Sequence, residues 1–423
     1  MRKSIFYIFL ISLIAGTSCR DQFTEIFTGN SPVYMSYDDL RLAISQGGPA
    51  DLVNPGKIYF KDDYIFIVEE MKGIHVINNA DAANPVNIAF INIPGNVDIA
   101  VKDNILYADS YVDVVALDVS DLSNVKEVDR VTDVLPYSIP AYDTEYPLAA
   151  IDETQGVVVD WEVKRVKQAL ENNYYPVYGW EDGWVKDATN GGVTGGVTGG
   201  GVGVGGSMSR FGISGNTLYA VDNMVLHIFS ITHPDELVIR REFSAGWSIE
   251  TMFILGETMF LGTQNGMRIY DISSPTSPMY ISDFWHLTGC DPVVVRDELA
   301  FVTLRGGNTC GNNVNQLVVL SVADLRKPVE LKTYPMENPY GLGIDGNTLF
   351  ICDGYAGLKV YDVKDPLSIS KHMLAQFPDI LAYDAIPVNG VLMLIGDDGL
   401  YQYDYSTVTD IRLLSKIEVK KGN

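Results

Sequence analysis

Positive charge is scarce in this chain: 30 Lys and Arg stand against 54 Asp and Glu in 423 residues, with five His. A formal net charge of −24 repels phosphate backbones and anionic lipid surfaces, so nucleic acid is set aside as a partner. Long apolar runs are missing too. The run from Ile5 to Ala15 is too short to cross a bilayer as a helix. Catalytic strings are absent: there is no Gly-x-Ser-x-Gly, no Walker loop and no His-Glu-x-x-His. Gly201-x-Gly203-x-x-Gly206 has the spacing of a dinucleotide fingerprint, but it lies in a Gly-rich tract with neither a strand before it nor a helix after it, and is rejected. No EF-hand spacing or Asp-x-Asp-x-Asp run occurs.

What the chain does have is repetition. Gly357 to Pro366 alternates apolar residues at Leu358, Val360 and Val363, then stops at Asp365-Pro366, which reads as one strand closing in a turn. Gly266 to Pro275 is the clearest second copy, and weaker copies run Gly73 to Pro85, Val114 to Asp121, Val225 to Pro234, Gln316 to Pro328 and Gly399 to Thr407. Equivalent positions are Asn78, Asp118, Ser230, Asp271, Ser321, Asp362 and Asp404, at intervals of 40, 112, 41, 50, 41 and 42. A period near 41 built of short strands predicts propeller blades, and the interval of 112 is one period plus an insertion. The expected fold is all-β: a seven-bladed β-propeller of four-stranded antiparallel blades with one inserted excursion, part helix and part Gly-rich. Blades are expected at 54–94, 95–136, 207–246, 247–289, 290–337, 338–378 and 379–419, so the propeller occupies 54–419 and the insertion 137–206. Turn chemistry such as Asp345-Gly346-Asn347 separates the first two strands of a blade.

Residues 1–18 open with Arg2-Lys3, contain no acid and end in Gly16-Thr17-Ser18-Cys19, a loose lipobox that lacks Leu three places before the Cys. A secretory signal is therefore expected, with Cys19 as its lipidated end; simple secretion after cleavage near residue 18 is the alternative. Two acyl chains on Cys19 would hold the protein firmly to a membrane. Loss of Arg2 and Lys3 takes the net charge to −26. Cys352 falls in mid-strand as a buried thiol. In an exported protein Cys290 and Cys310 are expected to pair, closing a loop of about 20 residues worth on the order of 3 kcal/mol.

Between the signal and the blades, 19–53 reads as a polar tether from Arg20 to Pro32, then a short helix over Tyr34 to Ile44 with Ser36 as its cap. Inside the insertion, Asp160 to Leu170 has helical spacing, and Gly191 to Gly206 reads as a flexible strap. The insertion and the Cys290 to Cys310 loop both belong to the propeller's upper face. The last blade has its own fourth-strand candidate, Leu413 to Val419, so closing the ring need not borrow an N-terminal strand.

The repeated Leu-x-Val-x-Asp-Val-Ser-x-Pro pattern, best over Met267 to Pro275 and Leu358 to Pro366, resembles the LVIVD repeat of bacterial surface and exported propeller proteins. That resemblance spans all the blades and leaves out the insertion and the N-terminal helix. It implies a propeller and export, and it carries over no catalytic residue.

Candidate sites follow. Exposed aromatics of the insertion, Trp161, Tyr174, Tyr175, Tyr178, Trp180 and Trp184, would offer stacking area to sugar rings or side chains, or would pin the insertion as a satellite core. Arg305, beside the expected disulfide loop, is a further partner-binding candidate, with pairing to neighbouring acids as the alternative. Acids after second strands, Glu69, Asp109, Asp222, Asp353 and Asp397, are weak candidates for Ca2+, with solvated rim charge as the plainer reading. The repeat acids Asp118, Asp271, Asp362 and Asp404 are expected to cap their own turns. His75 and His227 share a strand position in blades that do not touch, which argues against a His-based zinc site. With no nucleophile or acid–base constellation in view, the expected function is non-enzymatic: a monomeric outer-membrane lipoprotein, facing the cell surface or the periplasm, that binds a protein or glycan of the envelope or scaffolds an envelope complex, without a cofactor. The alternative is a propeller enzyme acting on a glycan or using a divalent metal at its axial mouth.

Overall fold

The structure, a computed structural model, describes residues 24–169, 177–178, 202–205, 209–246, 248–285, 292–306 and 314–420. Seven antiparallel sheets each contain four strands consecutive in the chain. The innermost strands are Pro55–Lys61, Ile99–Lys102, Phe211–Ser214, Ile249–Leu255, Val293–Arg296, Leu342–Asp345 and Ala382–Val388. Each neighbours the next, and the seventh returns to the first, which makes a seven-bladed propeller. Within a blade the middle strands bury both faces, as in Ile65–Val68 and Leu218–Val221, because every blade is sandwiched between two others. Their unbroken Val, Ile and Leu runs are the direct consequence. The fourth strands lie toward the rim and are less buried than the middle strands, as in Lys126–Val131.

Local chemistry repeats with the blades. Each turn from the innermost to the second strand starts with a residue at positive φ, namely Asp62, Asp103, Gly215, Gly256, Asp297, Gly346 and Asn389, and the last turn adds Gly390. Every pairing of third with fourth strand carries a register shift, which adds twist and tilts the rim strand. The repeat acids cap turns: Asp118 accepts from Ser120 N at 2.8 Å, Asp271 from Ser273 N at 2.8 Å, Asp362 from Lys364 N at 2.9 Å and Asp404 from Ser406 N at 2.9 Å. Hydrogen bonds from the side chains of Ser120, Ser273 and Ser406, and then from these N–H groups, hold Asp118, Asp271 and Asp404 below the usual carboxylate range.

Among the described residues no strand is swapped between blades to close the ring. Lys420 N donates to Leu52 O at 2.7 Å, and Lys420 Nζ meets Asp51 at 2.8 Å, so the segment entering the first blade is tied to the one leaving the last. A helix, α1 (Tyr37–Leu42), starts at Ser36, whose Oγ accepts from Asp39 N at 3.1 Å. Its Leu40 is fully buried against Tyr111, Val112 and Val157, and Arg41 pairs with the buried Asp113 at 3.1 Å. Asp113 also holds Arg130 at 2.9 Å, so one carboxylate pins the helix to blade 2.

Two expectations are corrected. A helix was expected from Asp160 to Leu170, but Val157–Ala169 is a strand of 13 residues. The tether from Arg20 to Pro32 is likewise strand from Thr24 onward, because Thr24–Met35 pairs antiparallel with Val157–Ala169 along its whole length. Together they form a two-stranded ribbon. Helical spacing and strand alternation coincide over Trp161-Val163 and Val166, and the β-branched residues take the partner strand that only the fold supplies.

Candidate functional site

The centre of the ring is not open along blade 1. Val204–Gly205, from the end of the insertion, pairs with Phe60 and Tyr59 on the axis-facing edge of the innermost strand, opposite the edge used by the second strand. Gly203 N donates to Val101 O of blade 2 at 2.9 Å, and Tyr59 Oη donates to Gly203 O at 2.9 Å. Residues 203–205 of the strap thus bridge the inner edges of blades 1 and 2 inside the ring, whereas the insertion was expected on the upper face. Gly203 is required by close approach: a Cβ there would lie 2.3 Å from Tyr59 Cε1.

Above this plug lies a group of buried charges. Lys57 Nζ meets Asp98 Oδ2 at 2.8 Å, with Lys57 4% and Asp98 3% exposed. Asp98 also accepts from Ile99 N at 2.7 Å, from Phe211 N at 3.3 Å and from Arg210 N, so one carboxylate joins blades 1, 2 and 3. Burial pushes Lys57 below the usual lysine range, an effect that Asp98 opposes and Arg210 reinforces. Asp109 stands beside them. Its Oδ1 accepts from Asn96 Nδ2 at 2.8 Å, Val97 N at 2.8 Å and Asp98 N at 3.0 Å, and desolvation raises it to about 6 despite those bonds. A recess of about 20 Å3, room for about one water, is lined by Asp98, Asp109, Tyr111, Ser138, Arg210 and Asp222.

The Asp109 shift has a pH signature. Its carboxyl is raised from 3.8 in the unfolded chain to about 6 in the fold, so the folded state holds the proton longer. The contribution is complete below 3.8 and is lost as pH rises through about 6. Asp109→Asn keeps an acceptor for the three donors and cannot ionise. Its stability relative to the native protein is expected to improve steadily across that window in urea titrations, and a constant difference would contradict the assignment.

The other acids expected at the rim are each tied within their own blade. Glu69 accepts from Val53 N at 3.1 Å, Asn54 N at 2.7 Å and His75 Nε2 at 3.0 Å. Burial would raise it, but these bonds outweigh burial and its pKa is lowered. Asp353 accepts from Glu337 N at 3.0 Å, Asn338 N at 2.8 Å and Lys359 Nζ at 2.5 Å. Glu69, Asp109 and Asp353 therefore perform one structural task, clamping the chain as it enters the innermost strand of the same blade. Asp222 instead holds its own turn through Met224 N and Val225 N, both at 2.6 Å, and His227 at 3.0 Å. His227 also meets Glu242 at 2.8 Å; burial would lower its pKa, but the two carboxylates raise it. The shared strand position of His75 and His227 is that of partner to a clamp or turn acid. Asp397 N donates to Leu381 O at 3.1 Å. Among the described residues no three His, Cys, Asp or Glu form a metal-binding group.

Trp161 stands near the ring end of the ribbon, half-buried, with Nε1 donating to Pro140 O at 3.0 Å and its ring 6.0 Å from Tyr142. Arg305 is 5% exposed and lies 4.0 Å over the Tyr340 ring, which is itself 5.5 Å from Tyr383. Cys352 is a buried free thiol whose pKa burial raises. Cys19, Cys290, Cys310, Tyr174, Tyr175, Trp180, Trp184 and the side chain of Tyr178 lie outside the described residues.

No family model matches the chain, and no curated protein matches it. Solved structures do. The computationally designed protein Ika8 matches with a TM-score of 0.51 at 8% identity, over 89% of this chain and 92% of that one. The periplasmic gluconolactonase PpgL of Pseudomonas aeruginosa matches with a TM-score of 0.51 at 10% identity, over 89% of this chain and 97% of that one. Likeness at such identity shows the propeller fold alone.

Lys57, Asp98 and Arg210 escaped the sequence reading, although a signal for them was present. Counting four residues back from the last innermost-strand residues Lys61, Lys102, Ser214 and Val388 gives Lys57, Asp98, Arg210 and Asp384, four charges at one level of the ring where apolar residues would serve packing.

Proposed function

We propose that this protein is a cell-envelope binding or scaffold lipoprotein of the LVIVD-repeat kind, exported by residues 1–18, anchored through Cys19 to the outer membrane, and holding a protein or glycan partner on its upper face. The observation that carries this reading is how the ring is spent. Its inner edge at blades 1 and 2 is covered by the strap, and the acids that could have served as acid–base groups clamp the backbone instead. A rigid ring with one variable face suits recognition. The insertion aromatics Tyr174, Tyr175, Tyr178, Trp180 and Trp184 are the proposed contacts, and a disulfide between Cys290 and Cys310 is proposed to brace the neighbouring loop.

The test is a binding screen of the mature chain against glycan arrays and envelope extracts, beside a variant with those five aromatics changed to Ser. A ligand held by the native protein and weakened at least about tenfold in an equally stable variant supports the reading. Equal binding would move the site to the buried charges around Asp98. Deleting 137–206 is the wrong variant, since it would remove the ribbon's second strand and the axial strap together.

The second reading, an enzyme at the axial mouth, is favoured by Asp109, raised to about 6 beside the Lys57–Asp98 pair. The fold-level likeness to a gluconolactonase suggests a sugar lactone as first substrate. Hydrolysis above the buffer rate that is lost in Asp109→Asn would install this reading in place of the first.

A further inference from the structure

We infer that the outer end of the ribbon is a docking surface for anionic lipid headgroups, which orients the propeller on its membrane. The inference rests on the anchored reading of Cys19 for its biological setting, though not for its test. Of the six paired positions from Thr24–Ala169 to Gly29–Lys164, the second strand contributes Lys164, Arg165 and Lys167 and the first contributes one acid, Glu25. This end carries a net charge of +2 in a chain of −24. Strand alternation sets Arg165 opposite Thr28 and Lys167 opposite Ile26 on one face. All four are exposed, Ile26 by 54%, so the face presents two cations and an apolar side chain. Lys164, on the other face, is pulled back toward Glu162 at 2.6 Å.

Position and screening decide whether this small patch can act against the body's negative charge. Thr24 lies five positions after Cys19, a reach of at most about 18 Å, so an acylated Cys19 keeps this end of the ribbon at the bilayer surface. The opposite end of the ribbon, Met35 paired with Val157, is about 35 Å away at strand rise. Charges on the ring beyond it lie several screening lengths off at physiological salt, where that length is about 8 Å. Acids beside the ribbon are nearer: Asp143, whose backbone O accepts from Asn30 Nδ2 at 2.8 Å, and Glu162, which pairs with Lys164. Attraction is therefore confined to the Arg165 and Lys167 face of the outer end, where closeness to the bilayer lets it exceed the screened repulsion.

The test uses the mature chain with Cys19→Ser, which carries no lipid, and vesicles of phosphatidylglycerol with phosphatidylethanolamine beside vesicles of phosphatidylcholine. Co-sedimentation at low salt is expected to be at least about tenfold greater on the anionic vesicles, to fall as salt rises, and to be lost in K164Q/R165Q/K167Q. A milder variant, Arg165→Gln alone, should lose part of the binding and guards against failure of the ribbon to form in the triple variant. Equal partition onto both vesicles, no binding to either, or binding unchanged in the triple variant would overturn the inference. Lipidation is read separately, from the mass of the exported native protein, so failure of one is distinguishable from failure of the other.

Discussion

Gly266→Ala is expected to cost about 3 to 5 kcal/mol of stability, a large share of the roughly 5–15 kcal/mol that holds a domain folded. Gly266 opens the third strand of blade 4 at φ +144°, a backbone state that L side chains rarely adopt, and a Cβ there would lie 2.0 Å from Phe284 O. That oxygen belongs to the backbone of the paired fourth strand, so it cannot swing aside as a side-chain tip would. Gly73 and Gly399 repeat the geometry, at φ +148° and +145°, with Ile91 O and Ile417 O at 2.1 and 2.0 Å. The control is Gly215→Ala, where φ is +57° and nothing lies within 4 Å of the added carbon. There the cost should be only the left-handed backbone penalty of about 1–2 kcal/mol. Urea midpoints compare the two, and equal losses would show that the strands separate easily and that the clash is not what makes the glycine necessary.

Asp98→Ala is the second large effect, about 3–5 kcal/mol. Removing this carboxylate leaves the Lys57 ammonium without its partner in a site where it is 4% exposed, and it takes an acceptor from the N–H groups of Ile99 and Arg210, while Phe211 N keeps Ser209 Oγ at 3.3 Å. An unpaired buried charge costs more than the absence of both members of a pair. Lys57→Met placed on top of Asp98→Ala should therefore restore part of the lost stability, whereas Lys57→Met alone should cost less than Asp98→Ala, since Asp98 keeps its backbone donors. If the second substitution deepened the loss, Lys57 would be held by something other than Asp98 and the three-blade junction would need another account.

Net charge shows how a property of the whole chain can conceal a local one. A balance of −24 argues against anionic surfaces, yet Arg165 and Lys167 share one exposed ribbon face because Thr24–Met35 supplies their partner strand. The same pairing explains the misread helix at Asp160 to Leu170. The Gly-rich tract is a parallel case. Composition makes it a strap, but only the ring provides Tyr59 and Val101 for Gly203 to meet.

By itself the sequence determined the repeat: the period near 41, the four strands of each blade, the seven turns and the acids that cap them, all set by contacts between residues close in the chain. Local hydrogen bonds and alternation leave a readable pattern because both partners lie within a few residues of each other. The tertiary structure alone decided which acids became clamps, that Lys57, Asp98 and Arg210 meet across three blades, that Val204–Gly205 lies inside the ring, and that residues 24–35 and 157–169 form one ribbon. The clamps close over 11 to 16 positions within one blade, but the other pairings join residues more than a hundred positions apart or on different blades. Closing the ring brings them within reach, and no local spacing records it.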